Sequence, residues 1–232
     1  MVKTILIKLS GESLAGEFVQ GLDFKYIEEI CLRIKKIHDM GIRVAIVCGG
    51  GNFIRGRDTT EMDRVTADYV GMMATIMNSL VLKSIFNKIG CDVYNQSGLS
   101  VSMIDDIDQK KILSALDNGK IVIFGGGVGK PYFSTDTGAA LRARDALADV
   151  IVKLTNVDGV YDKDPDKYDD AIMYGKVTFD EVISKKLAIM DLEAVDICRE
   201  NNINIVVTNI NNSSALLDIV NGKIVGTLVC NN

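Results

Sequence analysis

Five short runs in this 232-residue chain are apolar at almost every position: TILIKLS from Thr4, RVAIVC from Arg43, IVIF from Ile121, DVIVKLT from Asp149 and INIVVTN from Ile203. A strand with one wet face alternates apolar and polar residues, whereas a strand covered on both faces need not. Segments of helical period lie between the runs. In FKYIEEICLRIKKIHDMG, residues Ile27, Ile30, Cys31, Ile34 and Ile37 share one stripe, and Gly41 supplies the stop. EMDRVTADYVGMMATIMNSLVLKSIFNKIG reads as one long helix ending at Gly90. TDTGAALRARDALA reads as another, with Thr135 or Asp136 as its N-cap. Buried strands alternating with helices predict an α/β fold, a mainly parallel sheet with helices on both faces. Such sheets bind ligands beyond the carboxyl ends of their strands.

No linker or charge block divides the chain, so one domain over 1–232 is expected. The alternation loosens near Ile172, which leaves room for a C-terminal lobe of that domain over 172–232. The net charge of −5 argues against a broad nucleic-acid footprint, so no nucleic-acid substrate is expected. The cysteines Cys31, Cys48, Cys91, Cys198 and Cys230 form no CxxC pair, which fits free thiols rather than zinc or a disulfide framework. The sole histidine, His38, sits in the last turn of a helix and is expected against C-terminal carbonyls. One histidine cannot build a His-rich metal site, and this one leaves no Ser-His-Asp triad. The opening MVKTILIKLS is interrupted by Lys8, unlike a leader peptide, and no run approaches the roughly 18 apolar residues of a membrane span. A soluble cytoplasmic protein is expected.

Two apolar strands feed three glycines each, in VAIVCGGGNFIRG from Val44 and VIFGGGVG from Val122. Neither loop is a known phosphate fingerprint. GxGxxG fails because position 54 is Ile. The GxxxxGK[ST] loop fails because Phe124 stands where its first glycine belongs and Pro131 follows Lys130. The loops are either tight turns or places where backbone N–H groups converge on an anion, and two of them at strand ends favour the second. KLSGE adds Lys8, a cation inside an apolar strand, either snorkelling at an edge or holding an anion. Asp136 would repel phosphate unless it holds a cation, and orienting Lys8 meets that constraint. Tyr161, in the turn-rich NVDGVYDKDP, either packs on the protein or offers its ring to a base.

These pieces together carry a resemblance. KLSGE at Lys8, GGGNFIRG at Gly49, DYVGMMATIMN at Asp68, PYFSTDTGAALRA at Pro131, NVDGVYDKDP at Asn156 and IMDLEA at Ile189 follow one another across almost the whole chain. In this order they resemble the amino-acid-kinase superfamily, and closely the bacterial-type UMP kinases. The resemblance implies a three-layer αβα sandwich that moves the γ-phosphoryl of ATP, with magnesium, onto UMP. It implies catalytic roles for Lys8, Asp136 and Arg55. It implies ATP contacts at Lys8, Leu9, Ser10, Gly11, Gly51, Arg55, Thr155, Asn156, Tyr161 and Asp164. UMP contacts are implied at Gly50, Asp68, Val128, Gly129, Lys130, Pro131, Tyr132, Phe133, Ser134 and Thr135. Mg2+ is expected to be held mainly by the nucleotide phosphates. A homohexamer with GTP and UTP as effectors is the family habit.

Two departures stand out. Val128-Gly129-Lys130-Pro131 replaces the common Thr-Gly-Asn-Pro, and Lys83 and Asn87 stand where GTP-activated relatives tend to carry arginine and histidine. The alternatives are a kinase of the carbamate or acetylglutamate class, or a non-catalytic nucleotide sensor.

Overall fold

The structure is a computed structural model that describes residues 2–54 and 61–231. Its elements run β1 (Thr4–Leu9), a 3-10 turn (Glu12–Ala15), α1 (Phe24–Asp39), β2 (Arg43–Cys48), α2 (Arg64–Lys88), β3 (Val93–Ser97), β4 (Asp105–Asp106), α3 (Gln109–Asp117) and β5 (Ile121–Gly125). They continue as α4 (Thr135–Asp145), β6 (Val150–Thr155), β7 (Val160–Tyr161), β8 (Met173–Tyr174), β9 (Lys176–Thr178), α5 (Phe179–Ser184), α6 (Leu192–Glu200), β10 (Asn204–Asn209), α7 (Ala215–Val220) and β11 (Thr227–Cys230). Nine strands form one sheet in the order β4-β3-β5-β2-β1-β6-β10-β11-β9. Every neighbouring pair is parallel except β10 with β11. β7 and β8 make a separate antiparallel ribbon.

The five apolar runs are β1, β2, β5, β6 and β10, and they are consecutive neighbours at the centre of the sheet. That position explains their composition, because each is covered on both faces. Side chains alternate between two cores. Ile5, Ile7 and Leu9 of β1 join α1, α2 and α7, while Leu6 faces the other core, with α3, α4, α5 and α6. The same parity sends Val150, Val152 and Leu154 of β6 to the first core and Ile151 to the second. The expected helix–sheet–helix layering is therefore present.

β3 escapes the apolar criterion because it is polar: Asn95, Gln96 and Ser97 are all buried. Hydrogen bonds make that burial tolerable. Asn95 Nδ2 donates to the Ser79 carbonyl at 3.2 Å, and the Asp108 amide donates to Gln96 Oε1 at 3.1 Å.

Helix ends also differ from expectation. α2 starts after Asp63, whose carboxylate accepts the Thr66 amide at 3.1 Å. α4 is capped by Ser134, not by Thr135 or Asp136. Ser134 Oγ accepts the amides of Asp136 and Thr137 at 3.0 and 3.1 Å, and the Asp136 carboxylate is engaged elsewhere. His38 does meet a carbonyl, but that of Gly119, just beyond α3, at 2.9 Å from Nε2.

By length and composition α2 alone among the described residues could cross a membrane, which a search for unbroken apolar runs passes over. Half of its most apolar stretch is buried inside the fold, and its buried Thr75, Asn78 and Ser79 are hydrogen-bonded there. All five cysteines are free, and burial pushes the Cys31, Cys48 and Cys198 thiols up to about 12, which leaves them unreactive.

Gly11 shows what part of the glycine is for. A Cβ there would stand 2.3 Å from the Gly51 amide nitrogen and 2.8 Å from the Gly49 carbonyl carbon, so the loops after β1 and β2 touch backbone to backbone. Gly11→Ala is expected to cost about 2 kcal/mol or more, as overpacking against an immovable backbone does. Gly175→Ala, with nothing within 4 Å, should stay within about 0.5 kcal/mol of the parent. Urea unfolding of the two variants checks this, and equal midpoints would refute it.

Candidate active site: two clefts joined by a lysine–aspartate–lysine bridge

The sheet's geometry builds the centre of the site. Lys8 has the parity of Leu6 and Lys153 that of Ile151, so both side chains leave the sheet toward α4. β1 and β6 are parallel neighbours with Lys8 in register with Lys153. Two ammonium groups on adjacent strands, whose spacing is about 4.8 Å, require an anion between them. Asp136, in the first turn of α4, supplies it. Its Oδ1 lies 2.9 Å from Lys8 Nζ and its Oδ2 lies 3.1 Å from Lys153 Nζ. The three side chains are only 12, 17 and 18% exposed for Lys8, Asp136 and Lys153.

Burial pushes the Asp136 carboxyl up, but Lys8 and Lys153 outweigh burial and hold it below the ordinary carboxylate value. Burial lowers Lys153 below the ordinary lysine value, with Asp136 opposing and Lys8 adding to the shift. The Lys153 ammonium also donates to the Ile189 carbonyl.

The bridge stands between two clefts. The first, of about 270 Å³, is lined by Lys8 and Asp136 together with Gly50, Gly51, Asp68, Val128, Lys130, Phe133, Ser134 and Thr135. Gly50 and Gly51 therefore lie on the same side of the bridge rather than one on each side. The second, of about 400 Å³, is lined by Lys153, Thr155, Tyr161 and Asp164, among others. Leu9, Ser10, Gly11, Gly129, Pro131, Tyr132 and Asn156 line neither. The Leu9 side chain is fully buried in the core, and Gly11 packs against the second loop. Arg55 lies outside the described residues.

α2 holds the loops in place. Asn78 Nδ2 donates to the Gly49 carbonyl at 2.7 Å and pairs with Asn52, so the first glycine loop hangs on this helix. Gly50 has no room for a Cβ, which would stand 2.7 Å from the Gly71 carbonyl oxygen of α2. Thr75 Oγ1 accepts the Gly126 amide at 2.8 Å, which fastens the second loop. Asp68 accepts Arg64 Nε at 2.9 and 3.0 Å and the Tyr132 amide at 2.7 Å. Tyr132 is held there with φ at +72°, a conformation that side chains other than glycine rarely adopt.

Asp191 joins the helix ends. It caps α6 through the Ala194 amide at 2.9 Å and accepts the Ser134 and Thr137 hydroxyls at the start of α4.

Arg64, Thr75, Asn78, Lys153 and Asp191 carry no role in the sequence reading. For Lys153 a signal exists: VIVKLT repeats the apolar-strand-with-lysine pattern of ILIKLS. For Arg64 the signal is its i,i+4 spacing to Asp68.

A lysine-neutralised junction between two clefts, beyond the carboxyl ends of parallel strands, is a site for moving a charged group from one bound anion to another. The chain belongs to the amino acid kinase family, whose model matches residues 3–209. It is similar to the crystal structure of UMP kinase from Bacillus anthracis, with 35% identity and a TM-score of 0.96, over 100% of this chain and 97% of that one. The UMP kinase of Ureaplasma parvum matches at 36% identity and a TM-score of 0.92, over 99% of each chain. The uridylate kinase of Archaeoglobus fulgidus, at 24% identity and a TM-score of 0.74 over 97% of this chain and 99% of that one, shares the fold.

Proposed function

We propose that this chain transfers the γ-phosphoryl group of ATP to UMP, giving UDP and ADP, a step of pyrimidine nucleotide biosynthesis. The observation that carries the reading is the Lys8–Asp136–Lys153 bridge at the junction of the two clefts. It is supported by the likeness to UMP kinases over the full chain. A UMP phosphate oxygen attacks the γ-phosphorus, a new P–O bond forms, and the bond to the β–γ bridging oxygen breaks with its electron pair left on ADP. The attacking group is a phosphate monoester with a second pKa of about 6, already ionised at neutral pH. No general base is needed, which suits a junction built from two lysines and the aspartate that orients them. The work left is positioning and charge neutralisation.

In this reading UMP takes the first cleft, with Asp68, Gly50 and the loop 128–135. ATP takes the second, with Thr155, Tyr161 and Asp164, while Asn156, beside that cleft in the chain, keeps its assignment from the resemblance alone. Lys8 stands between them, and Ser10, Gly11 and Gly51 shape the loops above it. Arg55 keeps its assignment to the phosphates from the resemblance alone. Both oxygens of Asp136 face ammonium groups, so magnesium would be held mainly by the ATP phosphates, where it would supply charge neutralisation. The reading includes a hexamer, and self-association is supported by Tyr69, Val70, Met73 and Met77, which form an exposed apolar stripe on α2. The reading also includes a cytoplasmic location and GTP and UTP as effectors, with Lys83 and Asn87 as the positions to alter first.

An assay with ATP, magnesium and a panel of UMP, CMP, dTMP and carbamate tests the reading, and absence of UDP from UMP would end it. Asp68→Asn is expected to raise the KM for UMP about tenfold, the scale of a hydrogen bond to a charged group. The KM for ATP should stay within about twofold. An effect confined to ATP would contradict the assignment of the first cleft.

A further inference from the structure

We infer that Thr227 is a positioning residue for the donor nucleotide, a buried hydroxyl that fixes one wall of the second cleft without lining the cleft itself. The inference rests on the reading of ATP in that cleft.

The wall is the ribbon of β7 and β8 with the turn beyond β7, where Tyr161, Asp162, Lys163, Asp164 and Pro165 line the cleft. Each strand of the ribbon has two residues, and the pair forms a sheet of its own, apart from the nine-stranded one. Two short strands alone are at best marginally stable in water. A wall built from them needs an anchor in the main sheet.

Thr227, the first residue of β11, supplies one. It is fully buried. Its Oγ1 accepts the Val160 amide at 2.7 Å and donates its own proton to the Tyr174 carbonyl. Val160 and Tyr174 are register partners across the ribbon, so one hydroxyl holds both strands at the same level. The fit is close, because a Cβ on Gly159 would stand 2.6 Å from Oγ1. Val207, the register partner of Thr227 in β10, lines the same cleft. Asn209, at the end of β10, holds the turn that leads into the ribbon. Its Nδ2 donates to the Asn156 carbonyl at 3.2 Å and to the Asp158 carboxylate at 2.9 Å.

Tyr161 follows Val160 directly, so what fixes Val160 fixes where Tyr161 leaves the ribbon. Removing the hydroxyl leaves an amide and a carbonyl without their partner and frees the wall to shift. The donor loses contacts that it makes equally in the ground state and the transition state, which raises its KM and spares kcat. UMP, on the far side of the bridge, does not meet the ribbon.

The test compares the parent chain with Thr227→Val, which keeps the shape and deletes the hydroxyl, and with Thr227→Ser, which keeps the hydroxyl. It measures kcat, both KM values, urea unfolding, and equilibrium binding of ADP and of UMP by calorimetry. Thr227→Val is expected to raise the KM for ATP and to weaken ADP binding about tenfold, the scale of a lost hydrogen bond, with kcat and UMP binding within about twofold. Thr227→Ser should bind ADP within about twofold of the parent. A lowered urea midpoint with both affinities unchanged, or lowered equally, would mark Thr227 as merely structural and overturn the inference. Hydrogen exchange on the parent chain supplies a readout that needs no variant. ADP should slow exchange of the Val160 amide and UMP should not. Should the valine variant not fold, that difference supports the assignment, and its absence overturns it. If ADP protects neither Tyr161 nor Asp164, the reading of ATP in the second cleft falls and takes the inference with it. Protection there without a selective effect of Thr227→Val overturns the role of Thr227 alone.

Discussion

Asp136→Asn is expected to lower kcat by at least about 100-fold and to cost about 3 kcal/mol of stability, the scale of breaking a buried ion pair from one side. The carboxylate is all that separates Lys8 and Lys153, which sit in register on adjacent strands. An asparagine of the same shape leaves two largely buried ammonium groups facing each other, so the loss is electrostatic rather than steric. The pH dependence has a definite sign. Asp136 has a folded pKa below its ordinary value of 3.8, so its stabilisation is present above 3.8 and is lost as pH falls through the lower folded value. Lys153 has a folded pKa below the ordinary lysine value, so its cost is full at neutral pH and is relieved as pH rises through the folded pKa. Removing Asp136 takes away the anion that opposes the lowering of Lys153, so the variant's cost and its relief at high pH both exceed the parent's, and the gap in unfolding free energy should be widest near neutrality and narrow in both directions. Urea unfolding from pH 3 to 10 measures it, and a gap independent of pH would show that Asp136 acts through packing alone.

Lys8→Ala is expected to lower kcat by about 100-fold or more, as loss of a donor aimed at transition-state charge does. Its effect on stability should be smaller than that of Asp136→Asn, because Asp136 keeps Lys153 as its partner. This order, with comparable losses of turnover but unequal losses of stability, separates a charge bridge from a generic core defect. Near-normal turnover in the alanine variant would assign Lys8 to structure. A stability loss exceeding that of Asp136→Asn would show that Lys153 does not hold the carboxylate by itself.

Much of the fold and of this site was legible in one dimension. The five central strands announce themselves because a strand covered on both faces has to be apolar throughout. Lys8 was visible as a charge inside such a strand, and its pairing with Asp136 followed from the repulsion that a bare carboxylate would exert on phosphate. The glycine loops were visible as loops, but part of what they approach was not. Gly11 lies against the Gly49 and Gly51 backbone, and Gly50 against α2, so some of the missing Cβ atoms are required by the protein's own backbone. The cap of α4 is ambiguous in sequence because Ser134, Thr135 and Asp136 all suit an N-cap, and in the fold Ser134 takes it. What settles the choice is that Lys8 and Lys153 occupy the aspartate.

Local pattern sufficed for the five central strands, three of the helices, the layer order and the first lysine, since each of these depends on neighbours within a few residues. It could not supply β3, whose polar side chains are satisfied by groups on α2 and before α3. Nor could it supply the loops' attachment to Thr75 and Asn78. Above all it could not pair Lys153 with Lys8. Those residues are far apart in the chain, and only the parallel register of β1 and β6 makes them neighbours across one carboxylate. Register is set by the packing of whole strands against two helical layers, a property of the assembled sheet that no short stretch of residues contains.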